Sequence, residues 1–431
     1  MAESTMSLEA SVEAKLSAMG GDQWRAQKPF TIFRVPADVR KRNRSAYEPR
    51  MVSIGPYYHG GAALRAMEDH KWRYLHDLLF PGASNGAPPV VTASSLVAEV
   101  RSLEARARAC YSERPVDLSS DDFVRMLLLD GCFIIVFFIK WHKKHRDELC
   151  DVGWHLTFVL SDLLLMENQI PFFVIEKLYA AVTSAQSSRQ SPLDLFVEYI
   201  ADDEPIRRPS GDGKVHRLLH LYYECFVPNR KPPPGRRRRT RVPRVIPCAS
   251  EMREAGIKFA VRRSSAAPGD TYDVAFDASR GVMEIPTILI DDARRPLMAN
   301  LIAFEQTQGG EEARLLTSYV ALMGQLIVTA RDVELLRRHG VVENLLDNDE
   351  EAARFFNRLC DCSPVDYDRQ AFAGLYDDVT RYCGTWWHRN MAALRRDYFA
   401  SPWSAISVAA ATFLVALGAT QTYFTVFPSN K

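Results

Sequence analysis

The segment DLLLMENQIPFFVIEKLY, residues 162–179, places three consecutive polar residues inside an otherwise apolar run. Those residues are Glu167, Asn168 and Gln169, and Pro171 follows them closely. Proline cannot continue a helix without the loss of a backbone hydrogen bond, so a helix boundary or kink is expected here. Because buried polar side chains need hydrogen-bond partners, the triplet either binds backbone groups freed near the proline or faces a functional site.

A second apolar run, DFVRMLLLDGCFIIVFFIK at residues 122–140, is the expected packing partner of the first. Arg125 and Asp130 argue against a membrane span in this run. The pattern therefore predicts a buried core helix that is broken or bent near Gly131. Apolar stripes at helical spacing recur along the rest of the chain, and they indicate a fold in which helices dominate.

One region has strand patterning instead. Residues 249–260 predict a short helix ended by Gly256, and after it residues 272–276 alternate between apolar and polar side chains. A turn at residues 279–281 then leads into the β-rich residues 282–290, which predicts a hairpin. The expected fold class is mainly α with a small β component (α+β).

Composition and charge exclude several classes of function. The chain has 431 residues, 47% of them apolar, and a formal net charge of +1, so no overall field favours nucleic acid or acidic substrates. Its 8 cysteines form no CxxC pair, and reduced thiols in a cytosolic domain are the simpler interpretation. The spacing of His142, His145, Cys150 and His155 fits no zinc pattern. We expect no metal, no cofactor and no nucleic-acid partner.

The C-terminal residues 402–427, PWSAISVAAATFLVALGATQTYFTVF, contain no charged side chain. A helix over residues 405–427 would be about 34 Å long, enough to cross about 30 Å of hydrocarbon. Aromatic Trp403 and Phe427 stand near its two ends, and basic Arg395 and Arg396 precede it, which favours a cytosolic N-terminal part. The sequence thus predicts one helical cytosolic domain plus a C-terminal transmembrane helix at 403–427, with a buried core helix as the alternative.

That topology implies a single-pass, tail-anchored protein whose C-terminal helix contacts membrane lipid. Whether the membrane is the plasma membrane or an endomembrane stays open. Small residues four positions apart in this helix, such as Ala405 and Ala409, also allow pairing of two copies. The expected domains are a variable N-terminal segment at 1–29, a globular domain at 30–400 and the membrane helix.

Residues 229–244, NRKPPPGRRRRTRVPR, combine prolines with a dense cluster of arginines and predict a mobile insert. The cluster is Arg236, Arg237, Arg238 and Arg239. It is suited to anionic lipid headgroups, and it also resembles a nuclear import signal. The alternative is a solvated surface insertion without a ligand.

A polar set embedded in apolar blocks is the candidate functional site: His59, Asp130, Glu167, Asn168, Gln169 and Glu305. Interacting carboxyl groups in an apolar cleft have pKa values pushed apart, as acid–base catalysis requires. A G-x-S-x-G match at residues 82–86 lacks the preceding strand that a nucleophile elbow needs. No catalytic residue is assigned, and whether the protein is an enzyme stays open, with a non-enzyme favoured.

Several ordered blocks resemble the plant proteins that carry domain of unknown function 247. The blocks are AYEPRMVSIGPYYHG (46–60), LLLDGCFII (127–135), DLLLMENQIPFFVIEKLY (162–179), IPCASEMREAGIKF (246–259), EIPTILIDD (284–292), NLIAFEQ (300–306), DVELLRRHGVVENLL (332–346) and RRDYFASPWSAIS (395–407). The resemblance implies a mostly helical plant protein with a C-terminal membrane segment. Some grass relatives are implicated in self-incompatibility, which suggests recognition rather than chemistry.

Two positions depart from the pattern of that family. Val136 and Gly324 stand where relatives tend to carry an acidic residue. The first functional hypothesis is a membrane-anchored protein that recognises or binds an unidentified protein partner, in a self-incompatibility-like or signalling role. The alternatives are an enzyme with an acid–base site built from the buried polar residues, and a soluble nuclear-facing regulator that uses its arginine cluster.

Overall fold

The helices and strands are taken from a computed structural model of the chain. The structure describes residues 8–19, 30–80, 91–113, 117–143, 149, 151–183, 191–201, 206–209, 215–228, 245–262, 270–308, 314–360, 370–385 and 402–426. Several predicted features lie outside these residues: the G-x-S-x-G match, His145, Cys150, the insert 229–244 with Arg236 to Arg239, and the flanking residues Arg395, Arg396 and Phe427.

Helices dominate the described residues. In chain order they are α1 (Leu8–Met19), α2 (Ala37–Arg42), α3 (Arg44–Tyr47), α4 (Ala66–Leu79), α5 (Ala93–Arg108), α6 (Ser120–His142), α7 (Gly153–Leu163), α8 (Phe172–Thr183), α9 (Pro192–Ala201), α10 (Leu218–Phe226), α11 (Ala249–Glu254), α12 (Arg294–Thr307), α13 (Leu315–Leu326), α14 (Ala330–Arg338), α15 (Asp349–Cys360), α16 (Ala373–Gly384) and α17 (Pro402–Val426).

Five short strands accompany them in the part of the chain that the structure describes: β1 (Lys258–Val261), β2 (Ala275–Asp277), β3 (Val282–Ile285), β4 (Ile288–Ile290) and β5 (Val342–Asn344). β2 and β3 pair antiparallel, so the predicted hairpin is confirmed. β1 pairs with β3 in parallel, and β4 pairs with β5 in parallel. The mainly α fold with a small β component is therefore confirmed as α+β.

The predicted end of the helix at Gly256 is confirmed, but residues 257–260, which the predicted range 249–260 also includes, are not helical. The helix ends at Glu254, and Gly256 follows with φ +98°, a left-handed conformation that suits glycine. The chain then enters β1, where Phe259 is buried. Pairing with β3 along Lys258–Val261 overrides the local helical pattern, since these contacts come from a segment that is distant in the sequence.

The chain divides into two compact units. The first consists of Met1–Pro36, Pro49–Tyr199 and Lys214–Leu218, and the second of Ala37–Glu48, Ile200–Gly213 and Leu219–Lys431. In the first unit, α6 packs against α4, α5 and α8. In the second, α12 packs against α3 and α13, while α15 packs against α13 and α14.

The central helix of the first unit is α6, in which every residue from Met126 to Phe138 is buried. The predicted core helix is confirmed, but the predicted break near Gly131 is wrong, because α6 is continuous. A Cβ at Gly131 would lie 2.4 Å from Leu178 Cδ1. The glycine therefore serves the close approach of α8 rather than a bend in α6.

The boundary predicted near Pro171 is confirmed. α7 ends at Leu163 and α8 begins at Phe172, directly after the proline. Residues 164–171 between them are irregular but buried. The polar triplet therefore lies in a buried connection whose backbone groups have few partners within a helix.

The predicted transmembrane helix at 403–427 is wrong. α17 forms and has 25 residues, but no helix among the described residues combines the length and the apolar character needed to cross a membrane. The glycine and polar residues Gly418, Thr420, Gln421 and Thr422 interrupt the apolar run, so its length alone does not make a span. The expected lipid contact, tail anchor and single-pass localisation rest on this span and lose that support.

Candidate functional site

Asp162 binds the backbone of a neighbouring segment, residues 50–55, of which residues 52–55 are buried. Its carboxylate accepts hydrogen bonds from the N–H groups of Arg50 at 3.0 Å, Met51 at 2.6 Å and Val52 at 2.9 Å. Burial raises the pKa of Asp162 to about 6, although the N–H groups oppose this shift. The side chain of Asp162 thus binds three successive backbone N–H groups of a segment that forms no strand.

Asn168 continues the same pattern. Its Oδ1 accepts from Ile54 N–H at 2.7 Å, and its Nδ2 donates to the carbonyl oxygens of Val52 at 2.9 Å and Asp162 at 3.0 Å. The amide group therefore pairs with residues 50–55 as a strand neighbour would. Both amide protons and the oxygen of Asn168 are engaged, which leaves little capacity for a ligand.

Gln169 closes the connection between α7 and α8. Its Nε2 donates to the carbonyl oxygens of Leu163 at 2.6 Å, Leu165 at 3.0 Å and Asn168 at 3.0 Å. These carbonyls lie at and beyond the end of α7, where a helix leaves acceptors without intrahelical partners. Of the two alternatives for the triplet, the structure supports binding of freed backbone groups at Asn168 and Gln169.

Asp130 and Lys71 form a buried ion pair beside residues 50–55. Lys71 Nζ lies 2.6 Å from Asp130 Oδ1, and it donates to Ser53 O at 2.6 Å and to Glu68 Oε1 at 2.6 Å. Asp130 Oδ2 accepts from Gly55 N–H at 2.7 Å. Burial acts to lower the pKa of Lys71, but Asp130 and Glu68 outweigh it, so the pKa is raised and the ammonium stays charged.

Glu167 connects these buried polar residues to a less buried part of the first unit. Its Oε1 accepts from Val35 N–H at 2.8 Å, and its Oε2 accepts from Tyr58 O–H at 2.9 Å. Arg34 Nε lies 3.7 Å from the same Oε2, while Arg34 Nη1 donates to Glu113 at 2.6 Å. Glu167 therefore links the segment before α2 to the loop that follows residues 50–55.

His59 and Glu305 stand apart from this network. His59 is half-buried, and among the described residues no hydrogen-bond partner meets its buried Nδ1. Glu305 belongs to the second unit, where it accepts from Tyr223 O–H at 2.8 Å, Leu316 N–H at 2.9 Å and Thr317 N–H at 2.7 Å. It caps the first turn of α13 from a neighbouring helix.

The first unit thus brings together Asp130, Glu167, Asn168 and Gln169, which the sequence had singled out. Asp162, Lys71 and Gly55 also belong to the cluster, and the sequence pattern did not identify them. A signal for Lys71 was present, since it is a lysine on the apolar stripe of α4. The acid–base hypothesis stays a prediction, although most polar atoms of this cluster bind backbone groups or one another.

A charged groove lies in the second unit, between α11 and α14. It has a volume of about 470 Å³ and is lined by Arg253, Arg331, Arg338, Glu254, Glu334, Leu335 and Ser250. Asp332 joins the two helices, because its Oδ1 accepts from Ser250 N–H at 2.8 Å and its Oδ2 from Thr329 N–H at 2.9 Å. Within the part of the chain that the structure describes, no cluster of His, Cys, Asp and Glu could hold a metal ion.

A family model described as a plant protein of unknown function, domain of unknown function 247, matches residues 32–417. The chain belongs to this family. A UPF0481 protein of Arabidopsis thaliana is 29% identical over 412 residues, which cover 90% of this chain and 84% of the relative. A second, putative UPF0481 protein of the same plant is 23% identical and covers 93% and 90% of the two chains. No solved structure gives a significant match.

Two glycines of the protein offer a matched test of how closely the backbone of residues 50–55 is packed. Gly55 has φ +79° and Gly60 has φ +76°, but a Cβ at Gly55 would lie 2.3 Å from Gln169 O while a Cβ at Gly60 meets nothing within 4 Å. We expect Gly60→Ala to cost about 1 kcal/mol of strain and Gly55→Ala at least about 3 kcal/mol, because it also forces the buried backbones apart. Urea unfolding of both variants measures this difference, and equal shifts would contradict it.

Asp162 gives a second prediction, on pH. A folded-state pKa of about 6, against 3.8 for the free group, means that the folded chain binds this proton more tightly. The contribution of this proton to the free energy of unfolding is therefore largest below about pH 4. It is lost as pH rises through 6. We expect the free energy of unfolding of the natural chain, relative to that of Asp162→Asn, to fall by about 2 kcal/mol between pH 4 and pH 7.

The exposed Asp69 of α4 supplies the control for that measurement, as Asp69→Asn makes the same chemical change outside the cluster. Urea unfolding at several pH values yields both differences. A difference for Asp162→Asn that grows with pH would show instead that the N–H groups of residues 50–52 hold the carboxylate ionised against the effect of burial.

Proposed function

We propose that this member of the domain of unknown function 247 family is a protein-binding recognition component and performs no catalysis with its buried polar cluster. The charged groove between α11 and α14 is the observation that carries the proposal. Arginine-rich surfaces with ion-pairing capacity are typical of sites that bind protein partners. The grass relatives implicated in self-incompatibility give the proposal its biological direction, in recognition or signalling.

The buried cluster supports the same proposal indirectly. A general acid or base must reach a substrate proton, whereas Asp130 and Glu167 are 1% and 0% exposed and accept the backbone N–H groups of Gly55 and Val35. Their polar atoms contribute to the stability of the first unit. The groove, by contrast, is open, and its arginines are exposed.

Proximity labelling of the full chain in plant cells tests the proposal. The first variant combines Arg331→Glu and Arg338→Glu in the groove. Its control combines Arg354→Glu and Arg358→Glu, two exposed arginines of α15 that do not line the groove and that change the charge equally. We expect a set of proteins to be labelled with the natural chain and with the control, and to be lost with the groove variant.

Three identical sets of labelled proteins would contradict a role of the groove in recognition. A labelled set indistinguishable from that of an unfused labelling enzyme would contradict the recognition proposal as a whole. Circular dichroism and unfolding of each purified variant show whether it retains the fold, so a loss of partners is attributed to the groove only in a folded chain.

A further inference from the structure

The groove carries more positive than negative charge, and a second cavity extends this surface. The second cavity, about 200 Å³ in volume, shares Arg253 with the groove and is also lined by Lys258, Phe259 and His339. Among the residues that line the two cavities, four bases (Arg253, Lys258, Arg331 and Arg338) stand against two carboxylates (Glu254 and Glu334). The surface therefore complements a negatively charged partner.

The ion pairs inside the groove are weak enough to be exchanged. Arg331 Nη2 lies 3.7 Å from Glu254 Oε1, and the arginine side chain is 73% exposed. Arg338 pairs with Glu334 one turn earlier on α14, and it is 70% exposed. Exposed pairs of this kind contribute between about 0 and 1 kcal/mol, so a carboxylate of a partner can replace either glutamate at little cost.

Guanidinium groups also suit carboxylates geometrically. Each presents a planar fork of N–H donors that pairs with the two oxygens of one carboxylate. Arg331 and Arg338 lie seven residues apart on α14, two helical turns along one face. Spaced arginines on one face match several acidic side chains along an extended chain better than they match a single small anion.

A buried aspartate behind the residues that line the groove holds its two helices together. Burial acts to raise the pKa of Asp332, but the hydrogen bonds from Ser250 and Thr329 outweigh it and the pKa is lowered, so the carboxylate stays ionised and keeps α11 against α14. Leu335 and Leu336 next to it are buried. The arginines are therefore held on a preformed surface, which reduces the entropic cost of binding.

We propose that the groove and the adjoining cavity dock an acidic segment of a protein partner, with its carboxylates against Arg253, Arg331 and Arg338. The inference rests on the proposed function and names the chemistry of the partner. It assigns the recognition to charge, so binding must weaken with ionic strength as exposed charges are screened.

A fluorescein-labelled peptide of ten glutamates is the probe, and fluorescence anisotropy with the full chain is the measurement. We expect saturable binding that weakens by about fivefold or more between low and high NaCl. The groove variant Arg331→Glu with Arg338→Glu should weaken binding by about tenfold or more, because two attractive contacts become repulsive. The α15 control, Arg354→Glu with Arg358→Glu, should bind within about twofold of the natural chain.

Three further arms test where the peptide binds and which ligand chemistry the groove prefers. Replacement of Arg236, Arg237, Arg238 and Arg239 by glutamine should leave binding unchanged, and a loss confined to this variant would overturn the assignment to the groove. A labelled single-stranded RNA of ten uridines should bind more weakly than the peptide, and tighter RNA binding would overturn the choice of partner. Inorganic phosphate at millimolar concentration should not displace the peptide, and full displacement would indicate a small-anion site.

The failure of this inference is distinguishable from failure of the proposed function. If the groove variant loses its labelled proteins in cells, but neither the natural chain nor any variant binds the glutamate peptide, the groove recognises a partner of different chemistry. If the peptide binds equally to the natural chain and to the groove variant, the acidic docking site is refuted, whatever the labelling shows.

Discussion

The hydrogen bonds that side chains donate to and accept from residues 50–55 are the interaction on which the first unit depends. Residues 52–55 of this segment are buried yet belong to no strand, so their backbone N–H and C=O groups require partners. Asp162, Asn168 and Asp130 accept its N–H groups, while Asn168 and Lys71 donate to its carbonyls. An unsatisfied buried backbone group costs about 1 to 3 kcal/mol, and several would be lost together.

This constraint explains why polar residues stand inside the most apolar blocks of the sequence. Asp130 lies in the middle of α6, and the connection before Pro171 carries Glu167, Asn168 and Gln169. Each was a candidate for acid–base chemistry when only its apolar surroundings were known. In the structure their polar atoms bind irregular backbone, and it is the exposed charges of α11 and α14 to which we assign the proposed partner.

The sequence predicted elements well where one local rule dominated. Pro171 marked the start of α8, and the turn at residues 279–281 marked the hairpin of β2 and β3. It failed where distant contacts decided: Gly131 serves the packing of Leu178 and not a bend, and residues 258–261 form β1 through pairing with β3. The role of Asp162 was not predictable, because its partners in residues 50–52 are far away in the sequence. For α17, the membrane span was predicted from a sufficient length, but the helix lacks the apolar character that a span also needs.

Hydrogen–deuterium exchange at the amides of Met51, Val52, Ile54 and Gly55 tests the support of this segment most directly. We expect these amides to be protected to the same degree as those in the centre of α6, although residues 51–54 are not helical. Asn168→Leu, which keeps the approximate volume but removes the amide, should abolish the protection of Ile54, whose N–H group Asn168 accepts, while α6 stays protected. Rapid exchange at these amides in the natural chain, at the rate of the exposed residues near Gly60, would contradict the structural role assigned to the cluster.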